Sequence, residues 1–491
     1  MTLRTEAVNT GRLSTALSEE AHRIVYDQYV TSESGAASGM VDELRLISTV
    51  DRAHLVMLAE HGIVDRSRAG ALLAEIEALR ASDFEAVRDR PIPRGVYLAY
   101  ERYLTDTLGD EVGGVLHTGR SRNDLNATTV RLRTRQSYVE LLVAVEHLIE
   151  TLLEKAEEYR DVTMPAYTHG QPAVPITYGH YLAGVANAVL RGLDDLLHAG
   201  DEIDANPLGA GAVGGTSVPI DVRQTTELLG FAVPVQNSVD AVASREFVLR
   251  LLCATSVLGT TLSRVARDLS SWSSEEVGLL RVADDLVGSS SMMPQKRNPF
   301  LLEHIQGRAT ASLGHLVSAA SSMATAGYTN AIAVGTEAVR QLWPGLRGTN
   351  DAVTLMRLVI QGATPDRDRM HERCVDGYTT ATYLAERMVL DGVPFRLAHH
   401  HVGQAVLASL NDHVPLTAGL DGMNSPSPEA VAEACAHGGG PGAGAVRQTV
   451  QALRADLTRL NGLLGERRSR WDASRVALDE KVRSLMGTGQ I

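Results

Sequence analysis

Between residues 134 and 159 apolar side chains recur every three or four positions, at Tyr138, Leu141, Leu142, Val145, Leu148, Ile149, Leu152 and Leu153, with Glu and Lys between them. That period lays one apolar stripe along a helix. Segments 176–203, 245–272 and 300–323 are equally long and apolar-rich, with no internal proline. The middle third of the chain therefore reads as several long helices packed together, and the fold class as mainly α. Such helices carry more apolar surface than the outside of one molecule allows, so packing between subunits is expected.

Breaks in the pattern mark the connections. Arg90-Pro-Ile-Pro-Arg-Gly95 reads as a loop, and the Gly- and Ser-rich run from Asn206 to Pro219 as a turn between helices. Residues 281–299 form another loop, and Gly362-Ala-Thr-Pro365 separates the middle third from the tail. The tail reads as a helical stretch over 377–391, a turn at Asp391-Gly-Val-Pro394 and a helix from about 395. A break at His437–Gly444 precedes a final amphipathic helix.

Composition narrows the function. At 491 residues the chain is too long for one small core, and only 4% is aromatic, which suits close-packed Ala- and Leu-rich helices. The formal charge of −13 argues against general nucleic-acid binding and requires any anionic ligand to meet locally concentrated positive charge. Cys253, Cys374 and Cys435 form no CxxC pair and read as reduced thiols of a cytoplasmic protein. The first residues lack an apolar h-region, and no run of about 18 apolar residues occurs, so no membrane span is expected.

Three polar clusters carry the candidate chemistry. The first is His117-Thr-Gly-Arg-Ser-Arg-Asn-Asp124, where arginines suit carboxylates and Ser and Asn add directed hydrogen bonds. By itself it is equally a charged helix start. The second, Thr168-His-Gly-Gln-Pro172, sets a histidine between a hydroxyl and an amide. Alone it reads more simply as a hydrogen-bonded histidine in a turn. The third runs from Gly288 through Ser290, Lys296 and Asn298 to Pro299, with Glu303 beyond. Its glycine and prolines discourage regular structure, and its serine, ammonium and amide suit a small dicarboxylate. Glu303 alone is an ordinary surface residue. His399-His-His401 faces different directions on a helix and is no metal site. There is no Walker loop, no GxGxxG following a strand, no HExxH and no GxSxG elbow.

Taken together and in this order, the clusters resemble the fumarase/aspartase superfamily, with the nearest resemblance to argininosuccinate lyases. The likeness extends to Val50-Asp-Arg-Ala-His54 with Met57-Leu-Ala-Glu60, to Pro207-Leu-Gly-Ala-Gly-Ala212 with Pro219-Ile-Asp221, to Asn237-Ser-Val-Asp-Ala241 and to Gly392-Val-Pro-Phe-Arg396. It implies a three-domain fold: residues 1–118, a central helix bundle over 119–365 with the loop 281–299, and residues 366–491. It also implies a homotetramer with a twenty-helix core, active sites shared between subunits, and no metal or organic cofactor. The implied reaction is β-elimination from a succinyl group, releasing fumarate and an amine. By residue-wise transfer, Ser290 takes the proton, Lys296 and Asn298 hold the carboxylate, and His169 paired with Glu303 serves the acid side. Ser121, Asn123 and Thr168 bind the succinyl carboxylates, Arg120 or Arg122 supports them, Gln171 completes the second cluster, and Tyr328 meets the substrate. Asp240 and Arg245 look structural or supporting.

The sequence departs from the family pattern in three places. Ser289 stands where glycine usually precedes the catalytic serine. The second cluster, Thr-His-Gly-Gln-Pro-Ala, is closer to the adenylosuccinate lyase pattern. Tyr328-Thr-Asn-Ala-Ile-Ala-Val-Gly-Thr-Glu337 keeps the tyrosine but carries small or apolar residues at the Lys, Gln and acidic positions of argininosuccinate lyases. The expectation is an N-substituted aspartate as substrate, either argininosuccinate or another N-succinyl amino compound, such as one of the ethylenediamine-disuccinate kind. A non-catalytic structural homologue is the alternative from another class, and retention of His169, Ser290, Lys296 and Glu303 speaks against it.

Overall fold

The computed structural model describes residues 36–487, apart from 89, 91–94, 421–423 and 425. Most of the proline loop read at 90–95, and the N-terminal 35 residues, lie outside that set. The described chain is mainly helical. In order it comprises α1 (Ala36–Glu60), α2 (Arg66–Ala81), α3 (Val96–Leu108), α4 (Arg122–Glu158), β1 (Thr163–Thr168), β2 (Gln171–Thr177), α5 (Tyr178–Ala199), α6 (Val222–Leu228), α7 (Ser238–Ala243) and α8 (Glu246–Trp272). After these come β3 (Leu280–Val282), α9 (Phe300–Ala324), α10 (Leu342–Gly362), β4 (Ala363–Pro365), α11 (Arg367–Asp376), α12 (Ala381–Leu390), α13 (Phe395–Asp412), α14 (Pro428–Ala434) and α15 (Ala443–Gly487). β1 and β2 form one antiparallel hairpin, and β3 pairs antiparallel with β4.

The helices begin where the chain supplies an acceptor for the unpaired amides of the first turn. Ser121 and Asp124 form a capping box at α4, and Thr177 Oγ1 accepts from the His180 amide at α5. Asn237 and Asp366 cap α7 and α11.

Apolar side chains gather into three clusters. The central one joins α4, α5, α8, α9 and α10 with Val446–Leu464 of α15. A second joins α1, α2 and α3 with Leu125, Leu208, Phe231 and the far end of α15 at Leu478, Val482 and Leu485. A third holds Leu384, Ala398, Val402 and Leu416 in the tail. One C-terminal helix thus serves two cores. Asp204 fastens its middle, accepting from Arg470 Nη2 at 2.6 Å and Trp471 Nε1 at 2.9 Å.

The bundle helices alternate in direction. α8 and α9 run antiparallel, with Thr255 Oγ1 2.5 Å from Ser312 Oγ and Gly259 against Ala309. α4 and α5 are antiparallel too, because Tyr138 donates to the Leu196 carbonyl while Gly179 packs on Ala156 and Arg160. Arg133 of α4 stacks over Trp343 of α10 at 4.8 Å. By length and composition α8 could cross a membrane, but 56% of its most apolar stretch is buried inside the bundle, where it is a core helix.

Two expected elements need correction. The helical stretch read over 377–391 is shorter at its start: residues 377–380 form a turn, with Tyr378 at φ 50°, and α12 runs only from Ala381 to Leu390. The loop read over 281–299 is ordered at its start. Arg281 and Val282 lie in β3, and Asp284–Leu286 forms a 3-10 turn. Pairing with β4 overrides the irregular composition there.

Candidate active site

The long bundle places the three clusters at two opposite ends. At the first end, α1 supports the residues that lead into α4. His54 is buried, and its Nε2 donates to the Thr118 carbonyl at 2.7 Å. Burial, helped by the nearby Arg120 charge, pushes its pKa down to about 3, so the ring stays neutral. One turn earlier, Asp51 forms a fully buried ion pair with Arg120. Burial penalises the Arg120 guanidinium, but Asp51, Tyr97 and Asp124 together oppose this and hold its pKa above the ordinary range. Arg120, which with Arg122 was the alternative expected to support substrate carboxylates, therefore has its guanidinium directed into the protein.

Ser121 caps α4, accepting from the Asn123 amide at 3.3 Å. Arg122 is exposed. The Asn123 side chain donates to the Ala212 carbonyl at 3.2 Å. Buried Asp124 ties the cluster to the glycine-rich turn, because its Oδ2 accepts from the Gly209 amide at 3.1 Å and the Gly211 amide at 2.9 Å. Burial raises its pKa, while these amides and that of Ser121 oppose the rise. Gly211 sits at φ 62°, and a Cβ there would lie 2.4 Å from the Gly215 carbonyl, so this turn requires glycine. Ser238 at the start of α7 donates to the Val213 carbonyl at 2.7 Å. Next to it, Asp240 accepts a hydrogen bond from the exposed hydroxyl of Tyr328. That bond, more than burial, pushes the phenol up to about 12.

The second end carries the other two clusters. His169 and Gly170 form the two-residue turn of the β1–β2 hairpin, at φ 54° and 75°. Positive φ at both central residues is the mark of a type I′ turn, and histidine there is held against its usual preference. Thr168, His169 and Gln171 are exposed at the tip. The hairpin is braced from below: Tyr167 lies 6.5 Å from Trp272, and Pro172 packs on Gly377. α11 and α14 pack on its strands and are linked by His371 Nδ1 and Glu429 Oε1 at 2.7 Å.

Gly288 and Asn298 exchange both backbone hydrogen bonds, at 2.8 and 2.9 Å, and close the loop 289–297 at its base. Arg297 anchors it, pairing with Asp284 and donating to the Val282 carbonyl at 2.8 Å. Ser290 Oγ accepts from the amides of Met292 at 3.3 Å and Met293 at 3.0 Å. Lys296 is exposed, Asn298 half-buried, and Glu303 exposed on the first turn of α9.

Within one chain these two ends do not meet. α4 has 37 residues, or ~55 Å at 1.5 Å per residue. A hairpin reaching ~20 Å straight back along it would still leave ~25 Å or more between Ser121 and His169. Ser121, Asn123 and Tyr328 are on one side of that gap. Thr168, His169, Gln171, Ser290, Lys296, Asn298 and Glu303 are on the other. Sequence reasoning missed the supports Asp51, His54, Asp124 and Arg297. The signal was present for all four, since each lies in a segment already singled out.

Comparison with known proteins identifies the family. A family model described as lyase matches residues 51–314, and one described as the argininosuccinate lyase C-terminal region matches 378–425. Argininosuccinate lyase 1 of Shouchella clausii is 34% identical over 402 residues, 82% of this chain and 80% of that protein. The argininosuccinate lyase of Methanoculleus marisnigri is 38% identical over 364 residues, 73% of each. EDDS lyase in complex with formate superposes with a TM-score of 0.84 at 26% identity, covering 97% of both chains. A class II fumarase of Schistosoma mansoni, at 16% identity and a TM-score of 0.65 over 77% of this chain and 86% of its own, shares the fold. The chain is a lyase of the fumarase/aspartase superfamily. Within that superfamily the chain belongs to the argininosuccinate lyase-like carbon–nitrogen lyases.

Proposed function

We propose that this protein splits an N-substituted aspartate of the argininosuccinate type into fumarate and an amine. A base removes one Cβ proton, and the electron pair left behind becomes the second bond between Cα and Cβ. The Cα–N bond breaks, and the nitrogen leaves with its electrons and takes up one proton. The carbanion beside the carboxylate needs preorganised donors and positive charge.

The observation that carries this reading is the setting of Ser290. Two backbone amides point at its Oγ, within a loop that also bears Lys296. Donors aimed at an oxygen favour its deprotonated form, which a serine base requires. Lys296 and Asn298 then hold the carboxylate and its developing charge. His169, oriented by Glu303, serves the acid side. Ser121, Asn123, Thr168 and Gln171 bind the succinyl carboxylates with Arg122, while Arg120 keeps that cluster in place from behind. Tyr328 meets the amine half. No metal or organic cofactor enters the scheme.

The site is assembled between subunits of a homotetramer. Ends ~55 Å apart on one α4 come together when a neighbour packs antiparallel. Support comes from the central helices, which leave Cys253 and Val257 of α8 and Leu313 and Val317 of α9 exposed, an outward apolar face that neighbouring copies would cover. The domain division at 118 and 365 and a cytoplasmic location belong to the same reading.

The test is to incubate purified protein with argininosuccinate and other N-substituted aspartates and to follow fumarate. Ser290→Ala should keep the assembly and lose at least ~100-fold in kcat. Absence of fumarate from every substrate would sink the proposal.

A further inference from the structure

A cavity of about 440 Å³ opens between α1, α2 and the last turns of α15, lined by Arg52, Glu77, Arg80, Asp479, Val482 and Arg483. That volume suits a small molecule. None of these residues belongs to the three polar clusters. Five of the six are charged, so an apolar occupant would strip water from them and offer nothing in its place.

The lining sets three guanidinium groups against two carboxylates. Both carboxylates are committed to the same arginine. Arg52, almost fully buried, pairs through Nε with Glu77 at 2.7 Å and through Nη2 with Asp479. Arg52 Nε and Glu77 Oε1 are out of line for a hydrogen bond, so charge alone holds that contact. Arg80 is aimed from α1: its Nη1 donates to the Arg45 carbonyl at 3.0 Å and to Ser48 Oγ at 2.6 Å, while its Nε lies 3.8 Å from Glu77. Burial, together with the charges of Arg52 and Arg45, lowers its pKa against the pull of Glu77 and Tyr100. Arg483 is exposed, and its Nε donates to the Asp479 carbonyl at 3.2 Å. Among the described residues no carboxylate pairs with it. The neighbouring cations Arg45 and Lys481 are engaged by Asp83 and Glu60, and the neighbouring acids Glu43 and Glu480 are outside the lining.

Positive charge is thus crowded on one wall of the cavity and unmatched on the other. Guanidinium forks fit the paired oxygens of phosphates and carboxylates. A single carboxylate would bring one charge to two forks, whereas a multiply charged anion serves both.

We propose that this cavity binds a small, multiply charged oxyanion, inorganic phosphate or a short polycarboxylate, between Arg80 and Arg483, at a site separate from the lyase centre. The proposal goes beyond the lyase reading and does not depend on it. The bound anion ties α2 to α15 across Arg52 of α1. That helix also carries Asp51 and His54, which hold Thr118 and Arg120 at the start of α4. Since the site exists only in the folded chain, its ligand stabilises the fold as its concentration rises past Kd.

The experiment titrates the whole protein with inorganic phosphate and with citrate by calorimetry, at constant ionic strength set with chloride. Wild type, Arg80→Gln, Arg483→Gln and Lys296→Gln are compared, and melting temperatures are recorded with and without each anion. Arg80→Gln and Arg483→Gln should each raise Kd at least ~10-fold, about the value of one charge-assisted contact. Both should also lose the rise in melting temperature that the anion gives wild type. Arg483→Gln alters an exposed side chain, so without the anion it should fold and release fumarate as wild type does. Lys296→Gln, in the loop at the other end of the bundle, should keep the binding. Binding of phosphate alone would assign the site to phosphate, and binding of citrate alone to polycarboxylates. No binding of either anion beyond that of chloride would overturn the inference. So would an unchanged Kd in Arg483→Gln, or a loss confined to Lys296→Gln, which would put the anion in the lyase centre.

Discussion

The guanidinium of Arg120 rests on the carboxylate of Asp51, and neither side chain keeps any exposure to solvent. Asp51→Ala would leave a buried positive charge without a partner, at about 3–5 kcal/mol. We expect a lower melting temperature and a lower kcat/KM, although Asp51 touches no substrate. Thermal unfolding and fumarate release check this together. Unchanged stability would show that Arg120 escapes to solvent and that the pair does not hold the start of α4.

His54 gives a pH dependence with a defined sign. Its folded pKa of about 3 lies below the ordinary 6.5. The folded state therefore favours the neutral ring, and the unfolded chain binds a proton first as pH falls. This contribution is complete above pH 6.5 and declines from there towards pH 3. By pH 5 about 2 kcal/mol of it should be gone. Denaturant unfolding at pH 7 and pH 5 should show that loss, and His54→Gln should remove it from the difference. An identical loss in the variant would place the titration elsewhere.

The separation of the two ends predicts complementation. Ser121→Ala and Ser290→Ala should each be inactive alone. After subunit exchange, about a quarter of the sites in a statistical mixture draw both serines from intact copies. Activity should return towards that fraction, as read by fumarate release on mixing. Proven exchange without recovery would mean that one chain supplies both residues.

Close approach of α8 and α9 depends on one glycine. A Cβ at Gly259 would sit 2.1 Å from the Ala309 carbonyl oxygen. Gly259→Ala should therefore push these helices apart and destabilise by about 1–3 kcal/mol, despite alanine's better helix propensity. Thermal unfolding decides it, and a gain in stability would contradict the packing described.

The sequence announces its long helices well and its supports poorly. The apolar-rich, proline-free segments 245–272 and 300–323 match α8 and α9 to within a residue or so. The tail was harder. Tyr378 takes a left-handed conformation that no local pattern required, and it delays the start of the expected helix to Ala381. The candidate residues were legible as types, since Ser290, Lys296 and His169 stand in segments with no packing role. Their distribution over two ends was not, because it follows from the direction and length of α4. Nor did any local signal reveal that Asp204 would gather Arg470 and Trp471 from 266 and 267 positions away. Such contacts depend on where the C-terminal helix lands.

The length of α4 has one more consequence. On the shared site proposed above, a solitary copy, however well folded, would own two half-sites and no whole one. Turnover would then switch on only above the concentration at which copies find each other, and specific activity would collapse on dilution while the helical content stayed intact. How much of this chain is made would set not merely the amount of catalyst but whether any exists.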